Sequence, residues 1–218
     1  MPVQVFIAGV NGYLGWTLAQ HLSRQGHAIG GADALLRRVW VDEMGSVSAI
    51  PIASVDERLA AFGERFGESL RFFALDLRDH AALCAALAHF KPDGVVHLAE
   101  CPSAPYSMID FQHAAFVQRN NVSGTLSLLF AMRDHCPEAH LVRLGTMGQY
   151  GTPNLDIPEG FFEVEYRGRR DRLPFPRQAG SWYHCVAGDD RRAAGSGNPH
   201  QQVQLSGLPQ GTGVVCRY

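Results

Sequence analysis

The stretch that decides the fold is VQVFIAGVNGYLGWTLAQHLSR, residues 3–24. It joins a short apolar run, typical of a buried strand, to a glycine-rich turn and then to leucines spaced four apart, typical of a helix. Gly9, Gly12 and Gly15 form a GxxGxxG pattern, and its place between strand and helix predicts a dinucleotide-binding loop. Gly9 permits the tight turn, Gly12 lets the backbone approach a pyrophosphate, and Gly15 lets the helix pack closely on the sheet. The alternative is a strand–turn–helix whose glycines serve packing alone.

Acidic residues at strand ends predict how a dinucleotide would be held. Asp33 lies 18 residues after Gly15, at the end of the second predicted strand. A carboxylate there accepts hydrogen bonds from the ribose hydroxyls and repels a 2′-phosphate, so it favours NAD over NADP, whereas the nearby Arg37 and Arg38 weaken that preference. Asp76, after the third predicted strand, is expected near the adenine, with a solvated strand-end carboxylate as the alternative.

Strand and helix patterns alternate along the chain. Strands are predicted at Val3–Ala8, His27–Ala32, Leu70–Ala74, Val95–Ala99 and Leu141–Leu144. Helices are predicted at Tyr13–Arg24, Val55–Phe62, Asp79–Phe90 and Phe111–His135. Strands separated by helices predict an α/β fold with a doubly wound parallel sheet. The segment Phe161–Pro174 predicts a β-hairpin on the outside of that sheet.

The composition excludes several classes of protein. The 218 residues include 19 Lys plus Arg and 21 Asp plus Glu, so the formal net charge of −2 argues against a nucleic-acid partner. The sequence has no apolar run of about 18 residues, so no membrane span is predicted. The first predicted strand begins at Val3, so no signal or transit peptide is expected. Five scattered cysteines without CxxC spacing predict reduced thiols, a cytoplasmic location and no metal site.

Longer stretches carry a resemblance to a known family. They are LLRR (35–38), PIAS (51–54), SAPYSMID (103–110), NNVSGTL (120–126), LGTMGQYGTPN (144–154) and LPFPRQAGSWYH (173–184). With the glycine pattern and Asp33, they make residues 3–184 similar to the UDP-sulfoquinovose synthase family, within the extended short-chain dehydrogenases/reductases and the NAD-dependent epimerase/dehydratase superfamily. The resemblance implies a Rossmann domain over residues 1–184 that uses NAD. It also implies that this chain is truncated and lacks the family's C-terminal substrate domain.

The resemblance implies a reaction on UDP-glucose and sulfite. NAD oxidises the sugar at C4, water leaves across C5–C6, sulfite adds at C6, and the hydride returns to C4, which gives UDP-sulfoquinovose. Thr146 matches the family's catalytic hydroxyl and Tyr183 its catalytic base. The family's Lys position holds Ala187, and its Gln-Arg pair is replaced by Cys101 and Pro102. The loss of two cations implies that turnover is impaired.

Further site residues follow from the motifs and the resemblance. The candidate cofactor-binding residues are Gly9, Gly12, Tyr13, Leu14, Gly15, Asp33, Arg37, Asp76, Leu77, Leu98 and Asn121. The candidate substrate-binding residues are Ser103, Tyr106, Met147, Gln149 and His184. In the family, the residue matching Asn121 supports the backbone of the active site. We expect His97 to be a core or cofactor-wall histidine and Cys101 an inert thiol. A homodimer is an open option for the assembly.

The segment after His184 departs from the family. Residues 185–218 contain no Phe and no Ile, and repeated glycines interrupt any periodicity. This composition predicts a poorly ordered tail, and the abrupt change suggests a reading-frame slip as a hypothesis. Two alternatives to an active synthase therefore stay open. One is a non-catalytic truncated or frame-slipped remnant that at most binds NAD, and the other is a UDP-glucose epimerase or dehydratase.

Overall fold

The computed structural model describes residues 1–67, 70–146, 161–174, 181 and 183. Its main sheet has five parallel strands in the order β3-β2-β1-β4-β5. They are β1 (Gln4–Ala8), β2 (Ala28–Asp33), β3 (Leu70–Ala74), β4 (Gly94–His97) and β5 (His140–Arg143). The chain runs outward from β1 to β3 and then crosses back to β4, so the strand order reverses beside β1. This doubly wound arrangement confirms the predicted Rossmann fold class.

Seven helices of the described residues accompany the sheet. They are α1 (Tyr13–Arg24), α2 (Leu36–Glu43), α3 (Val55–Phe66), α4 (His80–Phe90), α5 (Ala104–Ser107), α6 (Phe111–Gln118) and α7 (Gly124–His135). A separate antiparallel hairpin, predicted from the sequence, is formed by β6 (Phe161–Tyr166) and β7 (Arg169–Pro174). Within the described ranges, no helix combines the length and the apolar character needed to cross a membrane.

Alternate residues of β1 divide the core into two layers. Phe6 belongs to a buried cluster with Leu83 of α4 and Leu128 of α7. The next residue, Ile7, belongs to a second buried cluster with Phe62 of α3. Successive side chains of a strand point to opposite faces, so β1 supplies both layers and the sheet is covered on both sides. Each large apolar side chain buried in this way contributes about 1.5–3 kcal/mol of transfer free energy.

The longest predicted helix is interrupted. The apolar periodicity predicts one helix over Phe111–His135, but Arg119–Ser123 forms a π-helical turn between α6 and α7. Asn120 and Asn121 lie in this turn, and both are buried. Buried residues recur every three or four positions through this turn, at Val117, Asn121, Thr125 and Leu128, so the sequence pattern gives no sign of the interruption. The prediction of one regular helix is therefore corrected.

Two helices are not predicted by the sequence pattern. The helix α2 buries only Trp40, and α5 is a single turn of four residues. In α2 the apolar spacing of Leu36, Val39 and Trp40 covers only eight residues, and α5 is too short to show any such spacing. The bounds of α1 and β3 agree with their prediction, whereas α3 continues to Phe66, four residues beyond its predicted end.

Candidate functional site

A cleft of about 370 Å³ lies at the carboxyl ends of the central strands, where the strand order reverses. In open α/β sheets, this reversal is the usual position of a ligand. The cleft is lined by ten of the eleven predicted cofactor residues, which are Gly9, Gly12, Tyr13, Leu14, Gly15, Asp33, Arg37, Asp76, Leu77 and Leu98. These residues thus meet on one concave surface, although they are spread over four strand ends and two helices.

The glycines of the loop differ in what surrounds them. Gly9 has φ +87°, and a Cβ there would lie 2.8 Å from the backbone nitrogen of Ala99. A Cβ on Gly15 would overlap the carbonyl oxygen of Gly9, so the close packing of α1 on the loop needs glycine. At Gly12 the nearest atom is Gly9 O at 3.3 Å, and Gly12 lines the cleft. The space beside Gly12 is therefore available to a ligand that approaches the backbone.

The N-terminus of α1 faces the cleft with its backbone N–H groups. Gly12 is the N-cap residue, no side chain of the described residues caps this helix end, and its first turn holds no acidic residue. The first N–H groups of a helix lack intrahelical partners and carry a partial positive charge. Gly12 to Gly15 line the cleft, so this end of α1 fits the negatively charged pyrophosphate of a dinucleotide.

Asp33 holds the backbone on both sides of the cleft edge. One carboxylate oxygen accepts from the N–H of Asn11 at 2.9 Å, and the other accepts from the N–H of Leu35 at 2.8 Å. Burial raises the pKa of Asp33, while these two hydrogen bonds and the positive charge of Arg58 lower it. Each carboxylate oxygen has two lone-pair sites, so Asp33 keeps acceptor capacity for ribose hydroxyls.

The two candidate catalytic side chains lie together. The side chains of Thr146 and Tyr183 are hydrogen-bonded to each other, and Tyr183 lines the cleft. The N–H of Tyr183 donates to Ser107 Oγ at 3.3 Å. Burial, followed by the negative charge of Glu100, raises the pKa of Tyr183, whereas Arg143 and the bond with Thr146 lower it. The net shift is upward, so the phenol stays protonated at neutral pH.

An ion pair that the sequence analysis missed lies beside Tyr183. Arg143 of β5 donates through Nε to Glu100 Oε1 at 3.1 Å and through Nη2 to the same oxygen. Their side chains are only 5% and 10% exposed. Burial raises the pKa of Glu100, and Arg143 opposes that shift. Arg143 is the one charged residue of the predicted strand Leu141–Leu144, and this is the sequence signal that could have shown a buried partner.

His97 forms part of the cleft wall, in the place expected from the sequence. Its Nε2 is hydrogen-bonded to Thr125 Oγ1 at 2.9 Å, and the side chain is 1% exposed. Burial, with a smaller contribution from Arg143, lowers the pKa of His97 to about 3, so the ring is neutral. Its Nδ1 is buried and has no hydrogen-bond partner among the described residues. Those residues also hold no group of three or more metal-ligating side chains.

Asn121 acts on the backbone and does not line the cleft. Its Oδ1 accepts from the N–H of Cys101 at 2.9 Å, and its Nδ2 donates to the carbonyl of Cys101 at 3.2 Å. The neighbouring Asn120 lines the cleft instead. The structure therefore does not place Asn121 in contact with a cofactor, because its amide is used to hold the segment after β4. The thiol of Cys101 is buried, and burial raises its pKa to about 11.

The predicted substrate residues Ser103 and Tyr106 are also used within the protein. Ser103 Oγ caps α5 by accepting from the N–H of Tyr106 at 3.2 Å. The Tyr106 hydroxyl donates to Glu43 at 2.5 Å, and the ring packs in a buried cluster with Trp40. Neither residue lines the cleft among the described residues, and their contact with a substrate stays a prediction. The predicted site residues Met147, Gln149 and His184 and the tail 185–218 lie outside the described residues.

Fold and cleft together define a dinucleotide-binding α/β protein. Its sequence matches the NAD dependent epimerase/dehydratase family over residues 5–168, so the chain belongs to that family. NAD, the predicted cofactor, is the one that the family's description names. The residues that match the family include most of the residues that line the cleft.

Comparison with individual relatives shows which members of the family this chain resembles. The chain is 44% identical over 181 residues to the chloroplastic UDP-sulfoquinovose synthase of Spinacia oleracea, covering 83% of this chain and 38% of that one. It is 39% identical over 183 residues to UDP-sulfoquinovose synthase of Sulfolobus acidocaldarius, covering 84% and 47%. The chain thus spans less than half the length of these two curated relatives. The UDP-Glc/GlcNAc 4-epimerase of Campylobacter jejuni shares the fold, with a TM-score of 0.64, 19% identity and coverage of 90% and 50%.

Proposed function

We propose that this chain binds NAD in the cleft and serves as the dinucleotide-binding part of a sugar-nucleotide enzyme of the UDP-sulfoquinovose synthase type. The main observation behind the proposal is that the glycine loop, the N-terminus of α1 and Asp33 meet in one cleft. The identity of 44% to a UDP-sulfoquinovose synthase supports the choice within the family.

The residues of the cleft suit the parts of a dinucleotide. The pyrophosphate would lie against the backbone at Gly12, where a helix N-terminus faces it. Asp33 would accept from the adenosine ribose, and Asp76 would lie near the adenine, with its carboxylate paired to Arg78 at 2.5 Å. When bound, NAD supplies a hydride acceptor for C4 of the sugar and later a hydride donor for the same carbon.

Thr146 and Tyr183 would act at the sugar hydroxyl. The Thr146 hydroxyl would orient the C4 hydroxyl, and the Tyr183 phenol would exchange a proton with it. Because burial and Glu100 raise the pKa of Tyr183, its phenol holds its proton at neutral pH. The family's Lys position holds Ala187, so the sequence supplies no cation there to lower that pKa. We therefore propose that NAD binding is retained and that turnover by this chain is low.

The proposed substrates are UDP-glucose and sulfite. Two curated relatives named UDP-sulfoquinovose synthase and the stretches SAPYSMID and LGTMGQYGTPN support this choice. An epimerase or dehydratase that acts on UDP-glucose without sulfite is the competing activity within the same family, and it needs the same cleft.

A homodimer is part of the proposal. Phe111, Val122 and Leu126 are exposed apolar residues at the surface of α6, the π-helical turn and α7. An exposed patch of neighbouring apolar side chains is typical of a surface that packs against another protein. Sedimentation of the purified chain, with Leu126→Glu as the variant that places a charge on this surface, tests the assembly. A monomeric wild-type protein would contradict the dimer without affecting the proposal on NAD.

The central experiment is calorimetric titration of the purified chain with NAD⁺ and with NADP⁺. We expect NAD⁺ to bind more tightly, and Gly12→Val to abolish binding because a side chain would occupy the space beside the loop. Absence of NAD⁺ binding by the folded wild-type protein would overturn the proposal.

A second assay addresses the reaction. The chain is incubated with NAD⁺, UDP-glucose and sulfite, and the sugar nucleotides are separated and weighed by mass spectrometry. A small yield of UDP-sulfoquinovose that depends on sulfite supports the synthase type with low turnover. UDP-galactose formed without sulfite would favour the epimerase, and rapid formation of UDP-sulfoquinovose would contradict the proposed impairment.

A further inference from the structure

Arg58 of α3 reaches the glycine-rich loop from outside the cleft. Its Nη1 donates to the carbonyl oxygen of Asn11 at 2.9 Å and also to the side-chain Oδ1 of Asn11. Asn11 lies between Gly9 and Gly12, in the middle of the loop. Arg58 itself is not among the residues that line the cleft. The two residues are 47 positions apart, so their contact depends on the packing of α3 beside α1.

The Arg58 side chain is placed by neighbours on two helices. Its guanidinium carbon lies 4.0 Å from the centre of the Trp16 ring, which belongs to the first turns of α1. The Trp16 ring in turn meets Phe62 of α3 edge-on at 5.4 Å. At the start of α3, Ser54 and Glu57 form a capping box that fixes where the helix begins. Arg58 therefore has a defined position, which a long flexible side chain at a free surface would lack.

Asn11 is held at three of its polar groups. Its N–H donates to Asp33, while its carbonyl and its side-chain oxygen accept from Arg58. Asp33 and Arg58 thus both hydrogen-bond to Asn11, Asp33 as the acceptor and Arg58 as the donor. Glycine-rich segments have many accessible backbone conformations, so a loop without such contacts would be costly to order.

We propose that Arg58 is a positioning residue that holds the glycine-rich loop, through Asn11, in the conformation that receives a pyrophosphate. This inference rests on the proposed NAD binding only for the nature of the ligand. If Arg58 has this role, the glycine-rich loop should already be ordered in the protein without a ligand. A preformed loop avoids an ordering cost when the ligand binds, so Arg58 should raise affinity without touching the ligand.

The first test is hydrogen exchange of the free protein. Arg58→Gln removes the charge and the double donor, and we expect the amides of residues 9–15 to exchange about ten-fold faster, because a local opening becomes easier. Arg65→Gln is the matched control, since Arg65 lies on the same helix with its guanidinium 5.7 Å from the centre of the Phe66 ring. Unchanged exchange of the loop in Arg58→Gln would overturn the proposal, whether or not the protein binds NAD.

The second test compares ligands that share the adenosine part. With Arg58→Gln, the Kd for NAD⁺ and for ADP should rise about ten-fold, which corresponds to one charge-assisted hydrogen bond, while the Kd for adenosine should change less than about two-fold. A merely structural role of Arg58 would weaken all three ligands alike and would overturn the proposal. Arg58→Lys should restore part of the affinity, because an ammonium can still donate to the Asn11 carbonyl.

A double-mutant cycle shows whether the effect passes through Asn11. Asn11→Ala removes the side-chain acceptor and leaves the carbonyl in place. We expect Arg58→Gln to cost less ADP affinity in the Asn11→Ala background than in the wild type, since contacting residues are coupled. Additive effects would show that Arg58 does not act through Asn11, and would overturn the proposal.

If Arg58→Gln fails to fold, Arg58→Lys and Asn11→Ala allow the same comparison. Wild-type protein that binds none of the three ligands would refute the proposed function, whereas the exchange test would still decide the role of Arg58.

Discussion

Arg143 and Glu100 form a nearly buried ion pair across the carboxyl ends of β5 and β4, beside the cleft wall. Arg143 donates to one oxygen of Glu100 through two nitrogens, which holds the carboxylate in a fixed direction. Both charges also act on Tyr183, where Glu100 raises the phenol pKa and Arg143 lowers it. The pair therefore links the stability of the central strands to the electrostatics of the candidate catalytic residue.

Removing one partner of this pair should be costly. Arg143→Met leaves Glu100 buried without its cation, and we expect the free energy of unfolding to fall by about 3–5 kcal/mol in urea denaturation. The double variant Glu100→Gln with Arg143→Met should recover much of that loss, because no buried charge remains. Arg133→Met is the control, since Arg133 pairs with Asp134 at an exposed position and should change stability little. Equal losses in the single and double variants would show that the charge of Glu100 is not the cause.

His97 should make stability depend on acid pH. Its folded-state pKa of about 3 is far below its ordinary value of 6.5, chiefly because of burial. The unfolded chain binds the proton first, so stability is complete above pH 6.5 and is lost as the pH falls from 6.5 toward 3, by at most about 1.4 kcal/mol per pH unit. His97→Gln should flatten the pH dependence of urea denaturation over this range. The exposed His21→Gln is the control, and an unchanged slope in His97→Gln would contradict burial as the cause.

The sequence predicts the central fold well, because local patterns carry it. The apolar run of β1, the glycine spacing and the leucine spacing of α1 lie within 22 residues, and their bounds agree with the structure to within one residue. Asp33 is found the same way, since the distance from Gly15 along the chain is a property of the motif. These features need no knowledge of distant contacts.

Contacts between distant residues are what the sequence did not predict. Arg143 and Glu100 are 43 positions apart, and Arg58 and Asn11 are 47 apart, so each pair depends on how strands and helices pack. The buried positions keep a spacing of three or four residues through the π-helical turn, so the turn cannot be seen in the sequence pattern. The motif SAPYSMID predicts a substrate contact, which stays a prediction. The structure adds that Ser103 caps α5 and that Tyr106 packs with Trp40, and the motif does not specify these contacts.

Two glycines within helices, Gly15 and Gly63, should change the stability of the protein in opposite directions when replaced by alanine. Gly15→Ala places a Cβ against the Gly9 carbonyl, and we expect a loss of roughly 1–3 kcal/mol in the free energy of unfolding from overpacking. Gly63→Ala, inside α3, meets no atom within 4 Å and should stabilise the protein by about 1 kcal/mol through helix propensity. Thermal and urea denaturation of both variants measure the contrast. A neutral Gly15→Ala would contradict the close approach of α1 to the loop.

Asp33 should set the preference between the two dinucleotides. Asp33→Asn removes the negative charge that opposes a 2′-phosphate and keeps one acceptor for a backbone N–H. Arg37 lines the same cleft, so a 2′-phosphate would meet a cation there. We expect the ratio of NADP⁺ to NAD⁺ affinity to rise by about ten-fold or more in calorimetry, as for the loss of one close repulsion. Asp76→Asn is the control within the cleft, and an equal rise in that variant would contradict a specific role of Asp33.

Tyr183 should titrate above the ordinary value for a phenol. Burial and Glu100 raise its pKa, and an unperturbed phenol with a pKa of about 10 is already only roughly one part in a thousand ionised at pH 7. The difference in ultraviolet absorbance between wild type and Tyr183→Phe, followed from pH 8 upward, isolates this residue, and Tyr13→Phe serves as the exposed control. Glu100→Gln should shift the Tyr183 titration downward, because it removes the neighbouring negative charge.

Ala187→Lys alone should not produce rapid turnover, since Glu100 and burial still oppose ionisation of Tyr183. A Tyr183 that ionises below its ordinary pKa in the wild-type protein would contradict both the raised pKa and the proposed low activity.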